Sequence, residues 1–141
     1  ETGRTMTLTN PFILELCDYI ASQSAGRFAF GAGDKNLKVG EIEAGHNGVF
    51  AVLGVSEEPD RYTPVEYHTI DFWAVNTDET AGYQDLRTIF QMLHQAYAYN
   101  LSSWQIYYSN AQGQIIDFGR NRENKKLFKL TILFISRSLI S

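Results

Sequence analysis

Val65-Glu66-Tyr67-His68-Thr69-Ile70-Asp71-Phe72-Trp73-Ala74-Val75 is the longest alternating run ahead of the second helical pattern. In a strand, successive side chains point to opposite faces. Val65, Tyr67, Thr69, Asp71, Trp73 and Val75 then share one face, and Glu66, His68, Ile70, Phe72 and Ala74 share the other. Both faces carry apolar groups. This suits a sheet covered on both sides, by a helix within the subunit and by a neighbour outside it.

Downstream, Thr77-Asp78-Glu79-Thr80 supplies a helix cap. Tyr83, Leu86, Ile89, Phe90, Leu93 and Tyr97 follow on one stripe, which predicts a helix ending near Asn100. Residues 104–109 and 114–118 read as a hairpin turning through Asn110-Ala111-Gln112-Gly113. A polar segment, 119–126, leads into a last strand, 127–136. There Phe128, Leu130, Ile132 and Phe134 alternate with Lys129, Thr131, Leu133 and Ile135.

Upstream, 49–55 reads as a buried strand, joined to the central run by a polar connection with a Pro59-Asp60 turn. The Gly-rich stretch 28–48 holds short apolar pieces, Phe28/Phe30 and Val39/Ile42. These predict a brief hairpin or a loop packed on the sheet. Asn10-Pro11 opens an amphipathic helix over 11–24 carrying Ile13, Leu16, Cys17 and Ile20, and Gly26 ends it. Glu15 and Asp18 fall near its first turns, where the helix dipole favours acids.

The expected fold class is α+β: a mostly antiparallel sheet of about four to six strands with two helices on one face. Regular βαβ alternation is absent, which argues against a Rossmann-like fold. The 141 residues suit a single domain. Its expected extent is 6–141, because Glu1 to Thr5 look unlike the rest and Met6 reads as a natural start. No apolar run approaches the roughly 18 residues of a membrane helix, and no signal peptide is evident. With 44% hydrophobic and 20% charged residues, disorder is not the default.

The net charge of −4 argues against gripping nucleic acid as the main task, since phosphate neutralisation calls for a basic surplus. Cys17, the only cysteine, lies in an apolar helical stretch and reads as a buried core residue. His46, His68 and His94 have no metal-ligand spacing. No metal or other cofactor is expected. Glu66 and His68 share a strand face and could perform acid–base work, but the favoured reading is an exposed polar face or a subunit contact. Gly31-Ala32-Gly33-Asp34-Lys35-Asn36 lacks the full phosphate-loop spacing and reads as a flexible loop. Asn100-Leu101-Ser102 matches a glycosylation acceptor without a secretory context.

Arg120-Asn121-Arg122-Glu123-Asn124-Lys125-Lys126 holds four basic residues in seven. It could meet DNA phosphate, but a solvated loop or a protein contact fits the acidic balance better. Aromatics make up 13% of the chain. Tyr97, Tyr99, Trp104, Tyr107 and Tyr108 gather at one helix-to-strand junction, and aromatics beyond core needs are typical of protein interfaces.

The chain resembles the tail-terminator (tail-completion) and minor capsid proteins of long-tailed bacteriophages. The likeness spans most of 8–138 and rests on order, length and residue character. It is carried by the block 48–55, the loop Glu57-Glu58-Pro59-Asp60, and the strand-to-helix unit 67–93. In that unit Ile70-Asp71-Phe72-Trp73-Ala74-Val75-Asn76-Thr77 leads into Thr80-Ala81-Gly82-Tyr83-Gln84-Asp85-Leu86-Arg87. Arg120 and the closing strand 127–136 complete it. The Gly-rich stretch 31–48 is longer than the family pattern.

The resemblance implies a non-enzymatic virion protein: a homo-oligomeric ring, usually a hexamer, at the top of the tail tube. Such a ring stops tube growth and offers a surface to the head–tail connector protein. Its partners would be its own copies, the tail tube protein and the connector, with DNA only passing through an acidic lumen that repels it. It would sit in the tail or neck of the virion and be assembled in the host cytoplasm, with no membrane involved. A closed ring needs a heterologous interface, for which the two-sided strand 65–75 and Leu133 and Ile135 are candidates. The contact candidates are Glu57, Glu58, Asp60 and Arg61 in one loop, Trp73 on the central strand, and Arg120, Arg122, Lys125 and Lys126 in the basic loop. Three other readings stay open: another neck or minor capsid subunit, a monomeric ligand-binding domain using the aromatic junction as a pocket, and a small hydrolase.

Overall fold

The computed structural model describes residues 11–31, 35–42, 45–54 and 65–139. Helix α1, Pro11–Gln23, starts as expected with proline at its first position. Phe12, Ile13, Leu16, Cys17 and Ile20 are all buried on one face. The first turn contains no acid. Glu15 does not serve the helix dipole; its carboxylate accepts the Ser103 N–H at 2.6 Å and ties α1 to a distant turn. The helix ends as Ala25 and Gly26 turn left-handed, at φ 55° and 86°.

Among its described residues the Gly-rich stretch pairs in parallel rather than as a hairpin. Strand β1, Leu37–Val39, lies parallel to β2, Gly48–Leu53, with Leu37 opposite Val49. Asn36 organises the approach: its Oδ1 accepts from Ala29 N and its Nδ2 donates to Arg27 O. Gly48 is required here, because a Cβ at that position would lie 2.8 Å from the Asn36 carbonyl oxygen.

Strand β3, Val65–Asn76, pairs antiparallel with β2 and, along its whole length, with β7, Lys126–Ser138. Helix α2, Glu79–Leu93, follows at once. Asp78 caps it, accepting from Thr80 N at 3.0 Å and Ala81 N at 3.4 Å.

The second helix is shorter than its apolar stripe suggests. His94 is extended, Gln95 has φ 53°, and Ala96–Asn100 forms strand β4. The cause is long-range. Strand β5, Trp104–Ala111, brings Ser109 Oγ to the Leu93 carbonyl at 2.7 Å and Ala111 N to His94 Nδ1 at 3.1 Å. The helix terminus is thereby satisfied, and Tyr97 becomes a strand residue.

The expected hairpin through 110–113 is also absent. Strands β5 and β6, Ile116–Arg120, run in the same direction, one after the other, along β7. Gln112 N donates to Thr131 O at 2.8 Å and keeps the chain on the ladder between them. The 13-residue β7 is long enough to pair with both segments, so the turn-rich stretch becomes an irregularity within one edge. The actual hairpin joins β6 to β7 through 121–125, where Asn121 Oδ1 accepts from Glu123 N and Lys125 N.

The result is α+β with seven strands among the described residues, ordered β1-β2-β3-β7-β5-β4 and with β6 also on β7. This exceeds the four to six expected, because β1 and β4 come from stretches read as loop and helix. Among the described residues, the strand pairings other than the parallel β1–β2 pair are antiparallel, and a single parallel bridge joins Phe30 to Leu37. Ile70, Phe72 and Ala74 of β3 and Phe128, Leu130, Ile132 and Phe134 of β7 join both helices in one apolar cluster.

Candidate interaction surface

The opposite face of the same strands is built differently. Register places Tyr67 beside Ile135, Thr69 beside Leu133, Asp71 beside Thr131, and Trp73 beside Lys129. These side chains are half-buried rather than sealed. Thr131 Oγ1 donates to Asp71 Oδ1 at 2.6 Å, and Lys129 Nζ lies 3.8 Å from Asp71 Oδ2 and 5.4 Å from the Trp73 ring centroid. Lys129 thus spans a carboxylate and an aromatic face.

Trp73 also meets Phe118 of β6, with ring centroids 5.1 Å apart. Ile116 and Phe118 are 52% and 50% exposed. At the far side of this face, Tyr97 of β4 packs on Tyr108 of β5 at 4.7 Å and is 68% exposed. A sheet face with an aromatic group at each side, and Leu133 and Ile135 between them, can receive another protein surface.

Trp73 therefore lies where its alternation places it, on the less covered face. The basic loop is another matter. Arg120 donates through one terminal nitrogen to Thr77 O at 3.3 Å and Asn124 O at 2.7 Å. Lys126 Nζ lies 2.8 Å from Asp117 Oδ2 and 3.2 Å from Glu79 Oε1, and its side chain is 14% exposed. Lys125 is buried. Arg120 and Lys126 bind the β6–β7 hairpin to itself and to the start of α2, and the Lys125 N–H donates to Asn121 Oδ1 within it. Arg120 and Arg122 are both exposed, and of the four only Arg122 takes no hydrogen bond or ion pair among the described residues. Glu57, Glu58, Asp60 and Arg61 lie outside the described residues.

The electrostatics follow this pairing. Lys126 holds the Asp117 carboxyl below its usual range, helped by the Gly119 N–H. The two carboxylates, Asp117 first and then Glu79, raise the Lys126 ammonium in return.

The aromatic junction does not converge. Tyr99 turns to the helix side, stacks on Tyr19 at 5.1 Å and hydrogen-bonds Ser109 Oγ at 2.8 Å. Burial raises its phenol well above the ordinary value. Trp104 also faces the helices, against Phe12 at 5.4 Å. Tyr97 and Tyr108 lie on the other face, so the five rings do not line one pocket.

His68 is not on an exposed polar face. Its ring stacks on Phe12, with centroids 4.0 Å apart, and meets Trp104 edge-on at 5.0 Å. Burial lowers its basicity to about 4. Burial and then Asp18 push the Cys17 thiol up to about 12, which keeps it protonated and inert. Among the described residues no three His, Cys, Asp or Glu side chains are grouped to hold a metal ion. No described helix is long and apolar enough to cross a membrane.

Sequence reasoning missed Ile116 and Phe118 as surface features; it grouped Tyr97 and Tyr108 with the interface aromatics but not as a pair packed on one another. The alternation Ile116-Asp117-Phe118 was visible, but which face it would show depended on pairing with β7.

No protein family matches the chain. No curated protein matches it either. Among solved structures, the chain is similar to one from the virion of a native gene transfer agent particle. The identity is 12%, the coverage 84% of this chain and 83% of that one, and the TM-score 0.49.

Proposed function

We propose that this chain is a non-enzymatic structural subunit of a phage-type virion, a tail terminator. Its ring would cap the tail tube, stop tube polymerisation and join the tube to the head connector. The observation that carries this reading is the half-exposed sheet face of β3, β7 and β6. There Trp73 and Phe118 form a contact, and Ile116 stands half exposed beside them in the register.

A single chain that leaves such a face beside a fully packed one has a surface suited to a second protein. In a closed ring this face of one copy would meet a different patch of the next, as cyclic symmetry requires. The sequence resemblance to tail-terminator and minor capsid proteins supports the same reading. The partners are then further copies, the tail tube protein and the connector. DNA passes through the lumen without being gripped, in keeping with the net charge of −4. No cofactor has a part in this role, and the site of action is the tail or neck of the virion.

The test is the mass in solution by light scattering, with and without assembled tail tubes. A ring-sized species, alone or only on tubes, is the expected result. A monomer that ignores tubes overturns the reading. A ring that forms but does not cap tubes moves the subunit elsewhere in the neck or capsid.

A further inference from the structure

A histidine with a buried ring nitrogen lies at the seat of the first helix. His68 stands on the helix-covered face of β3, stacked flat on Phe12 with an interplanar angle of 7°. Trp104 of β5 closes its edge, and Phe134 of β7 packs against the same Phe12 at 5.4 Å. The ring is 11% exposed as a side chain, and its Nε2 is buried without a hydrogen-bond partner. An unpaired polar nitrogen in an aromatic cage costs stability that a hydrocarbon of the same shape would avoid.

The charged groups around it are few. On β3, Glu66 Oε1 lies 3.8 Å from Nε2, too long for a hydrogen bond but close enough to attract a charged ring. On α1, Glu15 follows Phe12 by one turn, and its carboxylate is committed to Ser103 N. On β5 and β7 the neighbours are Trp104, Ile106, Phe134 and Ser136, none of them charged.

We propose that His68 is an acid-sensitive latch on α1: protonation of its ring destabilises the stacked seat of Phe12 and loosens the first helix, while α2 stays docked. A charged imidazolium in this cage is opposed by desolvation and offset by Glu66 and the aromatic faces. Desolvation wins, since the ring's basicity falls to about 4. The folded state therefore takes up the proton later than the unfolded chain, in which histidine titrates near 6.5. Stability is full above that value and is lost as the pH falls toward 4. The loss is local because His68 touches α1 through Phe12, whereas α2 packs on β3 and β7 and buries Leu86, Ile89 and Leu93 in the shared core. The inference does not depend on the ring reading.

The test combines histidine NMR with amide-exchange protection factors for α1 and α2 between pH 7.5 and 4.5. In the intact chain the His68 ring should remain neutral down to about pH 5, and α1 protection should fall about tenfold more than α2 protection. His68→Gln and His68→Phe remove the titrating group in two different shapes, and either should abolish that difference. Glu66→Gln removes the offsetting charge and should deepen the loss. A His68 ring that titrates at the ordinary value overturns the proposal. So does an acid loosening of α1 that persists in both His68 variants.

Discussion

The two faces of the β3–β7 pair are made from alternate residues of the same two strands, yet they do different work. Phe72, Ile70, Phe134 and Ile132 are sealed beneath two helices. Trp73, Thr131, Lys129 and Leu133, one residue along, are half-buried and mix apolar with charged groups. Both sets belong to one continuous antiparallel ladder, with hydrogen-bonded and non-hydrogen-bonded pairs alternating along it, so a broken ladder does not explain the difference. What differs is whether another layer of the chain covers the face. The sealed face holds the apolar core, and the mixed face is the one proposed for contact.

The comparison breaks first at the core. Phe72→Ala or Phe134→Ala should cost about 3–5 kcal/mol in urea unfolding, through lost transfer energy and the cavity left behind. If either costs no more than a change on the opposite face, the two faces are not energetically distinct.

Gly48→Ala should come next, at about 1–3 kcal/mol, because the new methyl meets the Asn36 carbonyl and must displace β1. Exchange protection of Leu37 to Val39 should fall with it, while that of β3 holds.

On the open face, Phe118→Ser should cost only about 1 kcal/mol of stability, since the ring is half exposed. Under the ring reading it should nonetheless abolish the assembled species seen by light scattering. A variant that unfolds instead would show Phe118 to be part of the core.

The smallest effects belong to the hairpin. The Asp117 carboxyl is held low, so its contribution is present above its unfolded value near 4 and lost as pH falls through the lower folded one. The Lys126 ammonium is held high, so its contribution is present below about 10.4 and lost as pH rises through the folded value. Lys126→Met should flatten both limbs of the melting temperature against pH, and 1 M salt should shrink them in the intact chain. Arg122→Ala should leave stability within about 0.5 kcal/mol of the parent.

Much of this plan was legible in the residues. Helix α1, the Asp78 cap of α2 and the two faces of residues 65–75 follow from local spacing and capping chemistry. Period-2 alternation put Trp73 on the face opposite Phe72, but which of the two faces stays open was not legible in it. The elements that misled did so for identifiable reasons. Tyr97 fits the helical stripe begun by Tyr83 and Leu86, and nothing local shows that Ser109 will satisfy the Leu93 carbonyl and release the chain into β4. Asn110-Ala111-Gln112-Gly113 carries hairpin chemistry, but β7 accepts both flanking segments in one direction.

What the sequence determined by itself was whatever is set within one turn of helix or a few residues of strand: periodicity, caps and face. The pairing partners were decided only in the tertiary structure, and with them the intrachain bonds of Arg120 and Lys126 and the stacking of His68 under α1. Those features depend on residues 30 to 60 positions apart coming together, such as Arg120 with Thr77 and Asp71 with Thr131. A charge run reads the same whether it faces water or a carboxylate from another strand; only its neighbours in space distinguish the two.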